Sequence, residues 1–386
     1  NQVASSFMSD AVFFIMGSLM LAVAIVSQDL DTRLALGIIN ITGHKTWRIT
    51  AGFVAVCALL SSFIGEHTVT AMMMPVGLTL VRHTSRDPKK VAGLTSLILF
   101  SIAYGSAMGS IGTPSGGGRN VIMIGYLSQF GMGNLSYLDW MKYAYPILLI
   151  EIPLAIMILW WTFRPEKTIL DSAVRKLKVQ VAKSGQITGS QITAMGVFFL
   201  VFLGWVFLSP KIGLGIVALM GVVLYLVMGL VEWQDLNRNT NWGVIMLFGS
   251  AISIGIQMKD TGAALWVANN VIEGLQVITS NVDFSRSFVS IFLTAGLTNI
   301  LSNAATVAVL GPIVLNMGGN AVMVALSTAL ASAFAYLTVV ASPTCMIIHS
   351  SGLVKPSDYL KGGWKMTVMS ITVLLLFIHL FWPLMG

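Results

Sequence analysis

The stretch from Ser287 to Asn316 constrains the fold of this chain more than any other. Two apolar arms of about 12 to 15 residues flank the polar pair Ser302 and Asn303. At about 1.5 Å per residue each arm reaches only about 20 Å, whereas the hydrocarbon core of a bilayer is about 30 Å thick. One continuous span would instead carry several polar side chains through lipid. We therefore predict a re-entrant helical hairpin whose tip lies near the membrane midplane, against protein or a watery cavity.

The composition extends this conclusion to the whole chain. Of 386 residues, 56% are hydrophobic and only 10% are charged, whereas soluble proteins carry about 25% charged residues. Further apolar segments of span length follow one another along the chain. We therefore predict an all-α, multi-pass integral membrane protein, located in the cytoplasmic (inner) membrane if the source is bacterial.

The first half of the chain contains a similar arrangement. Apolar arms over residues 49–64 and 69–81 flank the polar residues 65–68, which predicts a first hairpin over 49–81. A broken helix is predicted after each hairpin, over 93–130 and over 321–350. The first break contains five glycines and one proline within twelve residues, too many for a continuous helix. The second break is predicted at Ala341–Thr344, after a helix that continues to residue 340.

The order of span, hairpin, broken helix and span occurs twice. It predicts a first repeat over 1–163 and a second over 190–386, joined by a basic interfacial linker over 164–189. Seventeen of the 22 lysines and arginines fall in five loops that this order places on one side of the membrane. Positive charge marks the cytoplasmic side, so the two hairpins enter from opposite sides and the repeats are inverted. The loop charge also explains the net charge of +7 without a nucleic-acid partner.

Interrupted helices at corresponding positions of two halves are typical of a transporter's binding site. Hydroxyl and amide side chains there can donate hydrogen bonds to an anion, and glycines let the backbone approach a carboxylate closely. The candidate substrate-binding residues are Thr68, Gly117, Gly118, Arg119, Asn120, Ser302, Asn303, Ser342, Pro343 and Thr344. We expect a small anion to bind between the two tips.

Three charged or titratable side chains lie in the first half of this predicted site. An arginine inside a membrane costs roughly 3 kcal/mol or more, and the guanidinium of Arg119 suits a carboxylate ligand. The alternative is an ion pair between Arg119 and Glu66 that only neutralises the tip. Glu66 and His67 are candidates for a proton or charge relay, because histidine and buried glutamate can titrate near neutral pH. The alternative for them is a fixed salt bridge or a helix cap.

These motifs resemble those of the divalent anion/sodium symporter (DASS) family, which carries di- and tricarboxylates and sulfate. The family has a Ser-Asn-Thr motif at each hairpin tip and a Thr-Pro-Pro-Asn-like motif at each break. Ser302-Asn303-Ala304 and Ser342-Pro343-Thr344-Cys345 come close to these motifs in the second half. The resemblance covers nearly the whole chain, although family members begin with further helices, which we expect to precede Asn1. It implies a substrate held between the tips, a homodimer and elevator-type alternating access.

The first half departs from the family pattern. Its tip contains Glu66-His67-Thr68, and its break contains Gly117-Gly118-Arg119-Asn120. In the family the tips and breaks also build sodium sites. Because a fixed arginine could replace the charge of a sodium ion, we predict sodium-independent anion exchange or proton-linked transport, with no resident cofactor.

Two alternatives to this prediction remain open. One is a sodium-coupled dicarboxylate or sulfate symporter that retains a sodium site near Ser302 and Asn303. The other, from a different class, is an anion channel, because hairpins also line channels. We do not expect an enzyme, because the sequence contains no evident set of nucleophile, base and orienting residue.

Overall fold

The computed structural model describes residues 7–28, 30, 42–85, 87–182, 186–275 and 282–385. Within these ranges the chain is helical, and the only β-type pairing is one bridge between Lys45 and Ile169. The α-helices are α1 (Asp10–Val26), α2 (Thr46–Ile64), α3 (Glu66–Thr84), α4 (Ala92–Gly109), α5 (Gly118–Gln129), α6 (Tyr137–Thr162), α7 (Asp171–Ala182), α8 (Gly189–Phe207), α9 (Ser209–Ile212), α10 (Leu214–Val227), α11 (Trp233–Asn239), α12 (Trp242–Asp260), α13 (Ala263–Leu275), α14 (Val282–Leu297), α15 (Asn303–Asn316), α16 (Ala321–Ala331), α17 (Pro343–His349) and α18 (Pro356–Leu376).

Six of the described helices are long and apolar enough to cross a membrane. They are α2, α4, α6, α8, α12 and the segment Pro356–Leu384, which includes α18. Shorter apolar helices, including both arms of the second predicted hairpin, accompany them. The arms of the first hairpin are longer than predicted, since α2 and α3 have 19 residues each. The sequence also predicts a short apolar helix that follows α1 and ends near Thr42, and this segment lies mostly outside the described residues.

The first hairpin turns at a single residue. Gly65 adopts φ +83° and ψ 145° between the end of α2 and the start of α3. A positive φ is readily available only to glycine, so the chain can change direction there without a loop. The predicted polar tip over residues 65–68 is therefore wrong in extent: Glu66, His67 and Thr68 already form the first turn of α3.

Small residues hold the first hairpin against the first broken helix. A side chain at Gly109 would come within 2.1 Å of the Ala58 carbonyl oxygen, and one at Gly105 within 2.9 Å of the Val54 carbonyl oxygen. Such close backbone approach is typical of membrane helices that pack through small residues. Ser62 Oγ donates to the Gly109 carbonyl over 2.8 Å and adds a bond at the same contact. This contact brings the hairpin tip next to the break that follows α4.

The first break occupies residues 110–117, at the glycine cluster. Asn120 Nδ2 donates to the carbonyl oxygens of Ser110 and Thr113, each over 2.9 Å. The Ser110 carbonyl has no helical partner, because the residue four positions later is Pro114, which lacks an N–H, and the asparagine amide satisfies it instead. The Thr113 carbonyl also accepts from the Gly116 amide over 3.2 Å. The break is therefore an ordered structure in which α5 begins at Gly118.

The second break is longer than the sequence predicts. Helix α16 ends at Ala331 rather than at residue 340, and α17 begins at Pro343. Asn299 accounts for much of the difference. Its Oδ1 accepts from the Leu337 amide over 2.8 Å, and its Nδ2 lies 3.2 Å from the Phe334 carbonyl oxygen. Because these backbone groups bond to a side chain of the neighbouring hairpin, the segment can leave the helix despite its apolar sequence.

Two helices occur where none is predicted. Helix α11 lies in the stretch 232–241, which the sequence predicts to be a polar loop, and α13 follows α12 before the second hairpin. Neither contributes a residue to the central cavity described below, although Asn241, the N-cap of α12, does.

Candidate functional site

The two hairpin tips and the two helix breaks meet around one cavity of about 370 Å³. That volume lies at the lower end of the range of roughly 300–1,000 Å³ that is usual for ligand pockets. The lining residues include Gly65, Glu66, His67, Gly117, Gly118, Arg119, Ser302, Asn303 and Pro343. Phe14, Phe248 and several aliphatic side chains complete the wall. Residues from positions 65 to 343 of the chain therefore share one site, and we call it the central cavity.

A buried ion pair lies in the first half of the central cavity. Arg119 Nη1 is 3.4 Å from Glu66 Oε2, and the two residues are 3% and 5% exposed. Ser110 Oγ donates to the same carboxylate oxygen over 2.8 Å and accepts a hydrogen bond from Arg119 Nη2. The charge of Arg119 is therefore balanced by Glu66. This ion pair is the alternative to substrate contact that the sequence left open for this arginine.

One hydrogen bond joins the two tips directly. Asn303 Nδ2 donates to Glu66 Oε1 over 3.1 Å. Glu66 is the first residue of α3 and Asn303 is the first residue of α15, so the bond connects the starts of the second arms of both hairpins. Each oxygen of the Glu66 carboxylate thus has a partner, one within the first half of the molecule and one in the second half.

Four helices that belong to the hairpins and the breaks begin at this cavity: α3, α5, α15 and α17. Helix α12 also begins there, at its N-cap Asn241. Helix N-termini carry partial positive charge and unpaired amide groups, which favour anions. The amide ends of α15 and α17 are capped by Ser302 and Ser342, which accept from the amides of Ala305 and Cys345 over 3.3 Å each. The residues before α3 and α5 are Gly65 and Gly117, which have no side chain to act as a cap.

The remaining predicted site residues separate into two groups. His67 lines the central cavity and also a neighbouring cavity of about 650 Å³, whereas Thr68 lines only the neighbouring one. Asn120, Ser342 and Thr344 are fully buried and are not part of the cavity lining. Asn120 orders the first break, and the hydroxyls of Ser342 and Thr344 lie 2.8 Å from each other.

Gly118 also has a packing role that the sequence does not indicate. A Cβ atom at this position would lie 2.4 Å from Cζ of Phe248 on α12. The missing side chain therefore leaves room for the Phe248 ring, which lines the same cavity.

Sequence reasoning missed two polar residues with a clear place in the structure. Ser110 bridges the ion pair, and Glu151 is a fully buried carboxyl in the middle of α6. A serine next to a glycine-rich break resembles any other small residue in sequence. Glu151 could have been found, because a single acidic residue inside an apolar span is rare and commonly functional.

Comparison with known proteins places the chain among transporters. A family model described as the sodium:sulfate symporter transmembrane region matches residues 1–386. The chain is 27% identical to the sodium-dependent high-affinity dicarboxylate transporter 3 of Caenorhabditis elegans, over 97% of this chain and 75% of that protein. It is 25% identical to the sodium-dependent dicarboxylate transporter SdcS of Staphylococcus saprophyticus, over 99% of this chain and 78% of that protein.

One solved structure is similar in fold. The crystal structure of the Alcanivorax borkumensis YdaH transporter superposes with a TM-score of 0.68 and covers 100% of this chain and 88% of that one. The sequence identity is 13%, so the similarity concerns the fold alone.

Proposed function

We propose that this chain, which belongs to the sodium:sulfate symporter family, is a secondary active transporter of a small dicarboxylate. Family membership confirms the resemblance to the divalent anion/sodium symporters that the motifs indicate. It also identifies a transporter, not an enzyme, and agrees with a multi-pass integral membrane protein. The dicarboxylate itself is inferred, since the two relatives described above are named as dicarboxylate transporters.

The observation that carries the proposal is the convergence of both tips and both breaks on the central cavity. Four helices of the hairpins and breaks begin there, and an anion between them would gain from the amide ends of several helices at once. The bond between Asn303 and Glu66 holds the two sides at a fixed distance. A small molecule with an anionic group at each end matches this two-sided arrangement better than a singly charged one.

We assign contact with the substrate to the residues that line the cavity. On the second side these are the hydroxyl of Ser302, the amide of Asn303 and the backbone at Pro343. On the first side they are the backbone at Gly117 and Gly118 and the guanidinium of Arg119, which is shared with Glu66. Thr68, at the neighbouring cavity, is assigned to the route by which the anion enters. Asn120, Ser342 and Thr344 are assigned a positioning role, because they order the two breaks.

We propose that Arg119 takes the place of a sodium ion in the first half of the site. A small cation there would need oxygen ligands, and the guanidinium already uses Glu66 Oε2 and Ser110 Oγ. The break carbonyls of Ser110 and Thr113 are bound by Asn120. Transport is then independent of sodium, and it proceeds by exchange of one anion for another or is linked to protons, with Glu66 and His67 as candidate relay residues.

Sodium-coupled symport is the second candidate, and a feature of the second half favours it. There the side chains that the second half itself contributes, Ser302 and Asn303, are neutral, and Thr306 Oγ1 is buried with no hydrogen-bond partner among the described residues. Sodium prefers such hard, neutral or anionic oxygens. The relatives from Caenorhabditis elegans and Staphylococcus saprophyticus are both named as sodium-dependent.

For the architecture we propose two inverted repeats, over residues 1–163 and 190–386, joined by the linker 164–189. Each repeat contributes one hairpin and one broken helix, and in each the second hairpin arm begins at the central cavity. The two tips bond to each other, which supports their movement as one body in an elevator-type mechanism. We further propose that the transporter works as a homodimer in the bilayer.

The test is uptake of labelled succinate into proteoliposomes, with the sodium gradient and internal unlabelled succinate varied independently. We expect uptake that requires internal anion or a proton gradient and does not change with sodium. Uptake that follows the sodium gradient into empty vesicles would reject the role of Arg119 as a substitute cation. The absence of saturable uptake of every tested dicarboxylate would reject the substrate class.

A further inference from the structure

The end of α6 and the start of the last span meet at one boundary of the membrane. Lys365 Nζ on α18 donates to the Oγ1 atom of Thr162, the last residue of α6, over 3.0 Å. After Lys365 the sequence contains no further lysine, arginine, aspartate or glutamate. As a helix, the stretch 366–384 extends about 28 Å, close to the bilayer core of about 30 Å. Lys365 therefore lies where the apolar part of the membrane ends.

Lys365 is positioned by two exposed tryptophans. Its Nζ is 4.5 Å from the ring centroid of Trp161 on α6 and 5.8 Å from that of Trp364 on α18. Both distances are within the limit of about 6 Å for a cation–π interaction. The two tryptophans are 65% and 55% exposed, and exposed tryptophans at the end of a span lie at the level of the lipid headgroups. The ammonium group of Lys365 is therefore held at headgroup depth, on a surface that meets lipid.

Two further cations lie close to Lys365. Lys361 precedes it by four residues on α18, so the two side chains lie on one face of the helix. The Lys361 Nζ is 5.9 Å from the ring centroid of Phe163, which follows α6 directly. The exposed Arg164 comes next in the chain. We call this surface the α6–α18 basic patch, which consists of Trp161, Arg164, Lys361, Trp364 and Lys365.

The acidic residues that are nearest to the patch in sequence have other partners. Glu166 accepts from the amides of Gly93 and Leu94 over 2.8 and 3.0 Å. Asp358 accepts from the Lys355 amide over 3.0 Å. No cation of the patch belongs to any of the three ion pairs found among the described residues. The positive charge of the patch is therefore available to a ligand from outside the described chain.

We propose that the α6–α18 basic patch binds the headgroup of an anionic phospholipid. The loop charge predicts that this end of both helices faces the cytoplasm, and the cytoplasmic leaflet is the one whose anionic lipids attract basic segments. An ammonium group has three donors, so Lys365 keeps two for a lipid phosphate after its bond to Thr162. Lys361 binds the same phosphate, Arg164 adds positive charge, and the acyl chains begin along the two indoles. A zwitterionic headgroup binds less well, because its own cation is repelled by the patch.

The bound lipid touches both α6 and α18, and it therefore strengthens the contact that the bond between Lys365 and Thr162 makes. This inference does not depend on which anion the protein transports.

The experiment compares the binding of dioleoyl phosphatidylglycerol and dioleoyl phosphatidylcholine to the full chain in detergent, measured by native mass spectrometry. A basic residue beside an anionic headgroup contributes about fivefold in affinity, so Lys361→Gln with Lys365→Gln should weaken phosphatidylglycerol binding roughly 25-fold. Binding of phosphatidylcholine should change much less. The matched control is Lys142→Gln with Lys211→Gln, which removes the same charge at two exposed lysines away from the patch. This control should bind phosphatidylglycerol like wild type.

Further variants separate a lipid site from a purely structural role of the lysines. Lys361→Arg with Lys365→Arg keeps both charges and should keep the preference for phosphatidylglycerol; loss of that preference would overturn recognition by charge. If the double glutamine variant does not fold, the exposed Lys361→Gln replaces it and should weaken phosphatidylglycerol binding about fivefold.

Three results would overturn the site. They are equal binding of the two lipids by wild type, phosphatidylglycerol binding by the glutamine variant equal to that of wild type, and an equal loss in the control. Excess glycerol 1-phosphate, which has a phosphate but no acyl chains, should not displace the lipid. Complete displacement would show that the patch binds soluble phosphates and would reject the assignment to a lipid.

Discussion

The two halves of the central cavity place different chemistry on similar helix ends. In the first half, α3 begins with Glu66, and Arg119 is the second residue of α5. In the second half, the corresponding positions are held by Asn303 at the start of α15 and Thr344 at the second residue of α17. The first half therefore contains an internal ion pair, whereas the second half is neutral. The second half can gain positive charge only from a bound cation, whereas the first half already contains the guanidinium of Arg119.

This difference also changes how each half tolerates substitution. Removal of one partner of a buried ion pair leaves the other charge unpaired, which typically costs about 3–5 kcal/mol. Removal of a neutral hydrogen-bonding group costs about 1–3 kcal/mol. Substitutions in the first half should therefore have larger effects than equivalent ones in the second half, and the predictions below are ordered accordingly.

The largest effect is expected for Arg119→Ala. This change leaves the Glu66 carboxylate buried without its cation and removes the fixed charge from the anion site. We expect the unfolding free energy to fall by about 3–5 kcal/mol, and succinate uptake to fall to background. Thermal unfolding in detergent and vesicle uptake measure the two effects. Arg82→Ala, at an exposed arginine, is the control; normal uptake by R119A would mean that the arginine is not part of the anion site.

The comparison becomes sharper in the double variant Glu66→Asn with Arg119→Thr. It gives the first half the neutral residue types of the second half and leaves neither charge unpaired. We expect it to regain most of the stability that R119A loses, because loss of both partners avoids the cost of one buried ion. Uptake by this variant should either be lost or become dependent on sodium. Sodium-independent uptake at the wild-type rate would show that the ion pair does not substitute for a cation.

A smaller effect is expected for Asn303→Ala in the second half. The variant removes the 3.1 Å bond to Glu66 Oε1 and leaves that oxygen unsatisfied. We expect the unfolding free energy to fall by about 1–3 kcal/mol. Because Asn303 is also assigned to the substrate, we expect a weaker apparent affinity for succinate, measured from the concentration dependence of uptake, and each tenfold loss corresponds to about 1.4 kcal/mol of binding free energy. Asn270→Ala, at an exposed asparagine of α13, should leave the affinity unchanged. An unchanged affinity in N303A would argue against a rigid connection between the two tips.

The smallest effect is expected for Ser302→Ala. Its hydroxyl caps α15 by accepting from the Ala305 amide over 3.3 Å, and loss of such a cap costs about 1 kcal/mol. The fall in thermal stability should therefore be small. If Ser302 also contacts the substrate, the apparent affinity for succinate should fall by more than the loss of the helix cap alone would cause. Ser350→Ala, at an exposed serine after α17, serves as the control, and equal behaviour of S302A and S350A would remove Ser302 from the anion site.

The sequence alone indicated the elements of this site but not their extent. The cluster Gly116-Gly117-Gly118 and the pair Ser302-Asn303 interrupt apolar segments so strongly that local rules alone predict a break near them. The end of α16 at Ala331 could not be predicted, because it depends on bonds from Asn299, which lies on another element. Local propensity carries no information about such tertiary partners.

The contacts between the site residues also could not be predicted from the sequence. The sequence left open whether Arg119 binds substrate or pairs with Glu66, and only the geometry shows the 3.4 Å contact between them. Glu151 was not recognised, although a single acidic residue inside an apolar span is a signal that the sequence contains. The residue types indicated which polar side chains of the hairpins belong to the site. The hydrogen-bond and ion-pair partners of these side chains could be identified only in the structure.

The position of the ion pair in the chain has a consequence for synthesis. Glu66 and Arg119 both precede the second hairpin in the chain, so both charges are synthesised before Asn303. The first half of the site can therefore be neutral before Asn303 is available to donate to the second carboxylate oxygen. A nascent chain held at residue 163 should already contain this pair, and its variant with Arg119 replaced should be the one that membrane quality control removes.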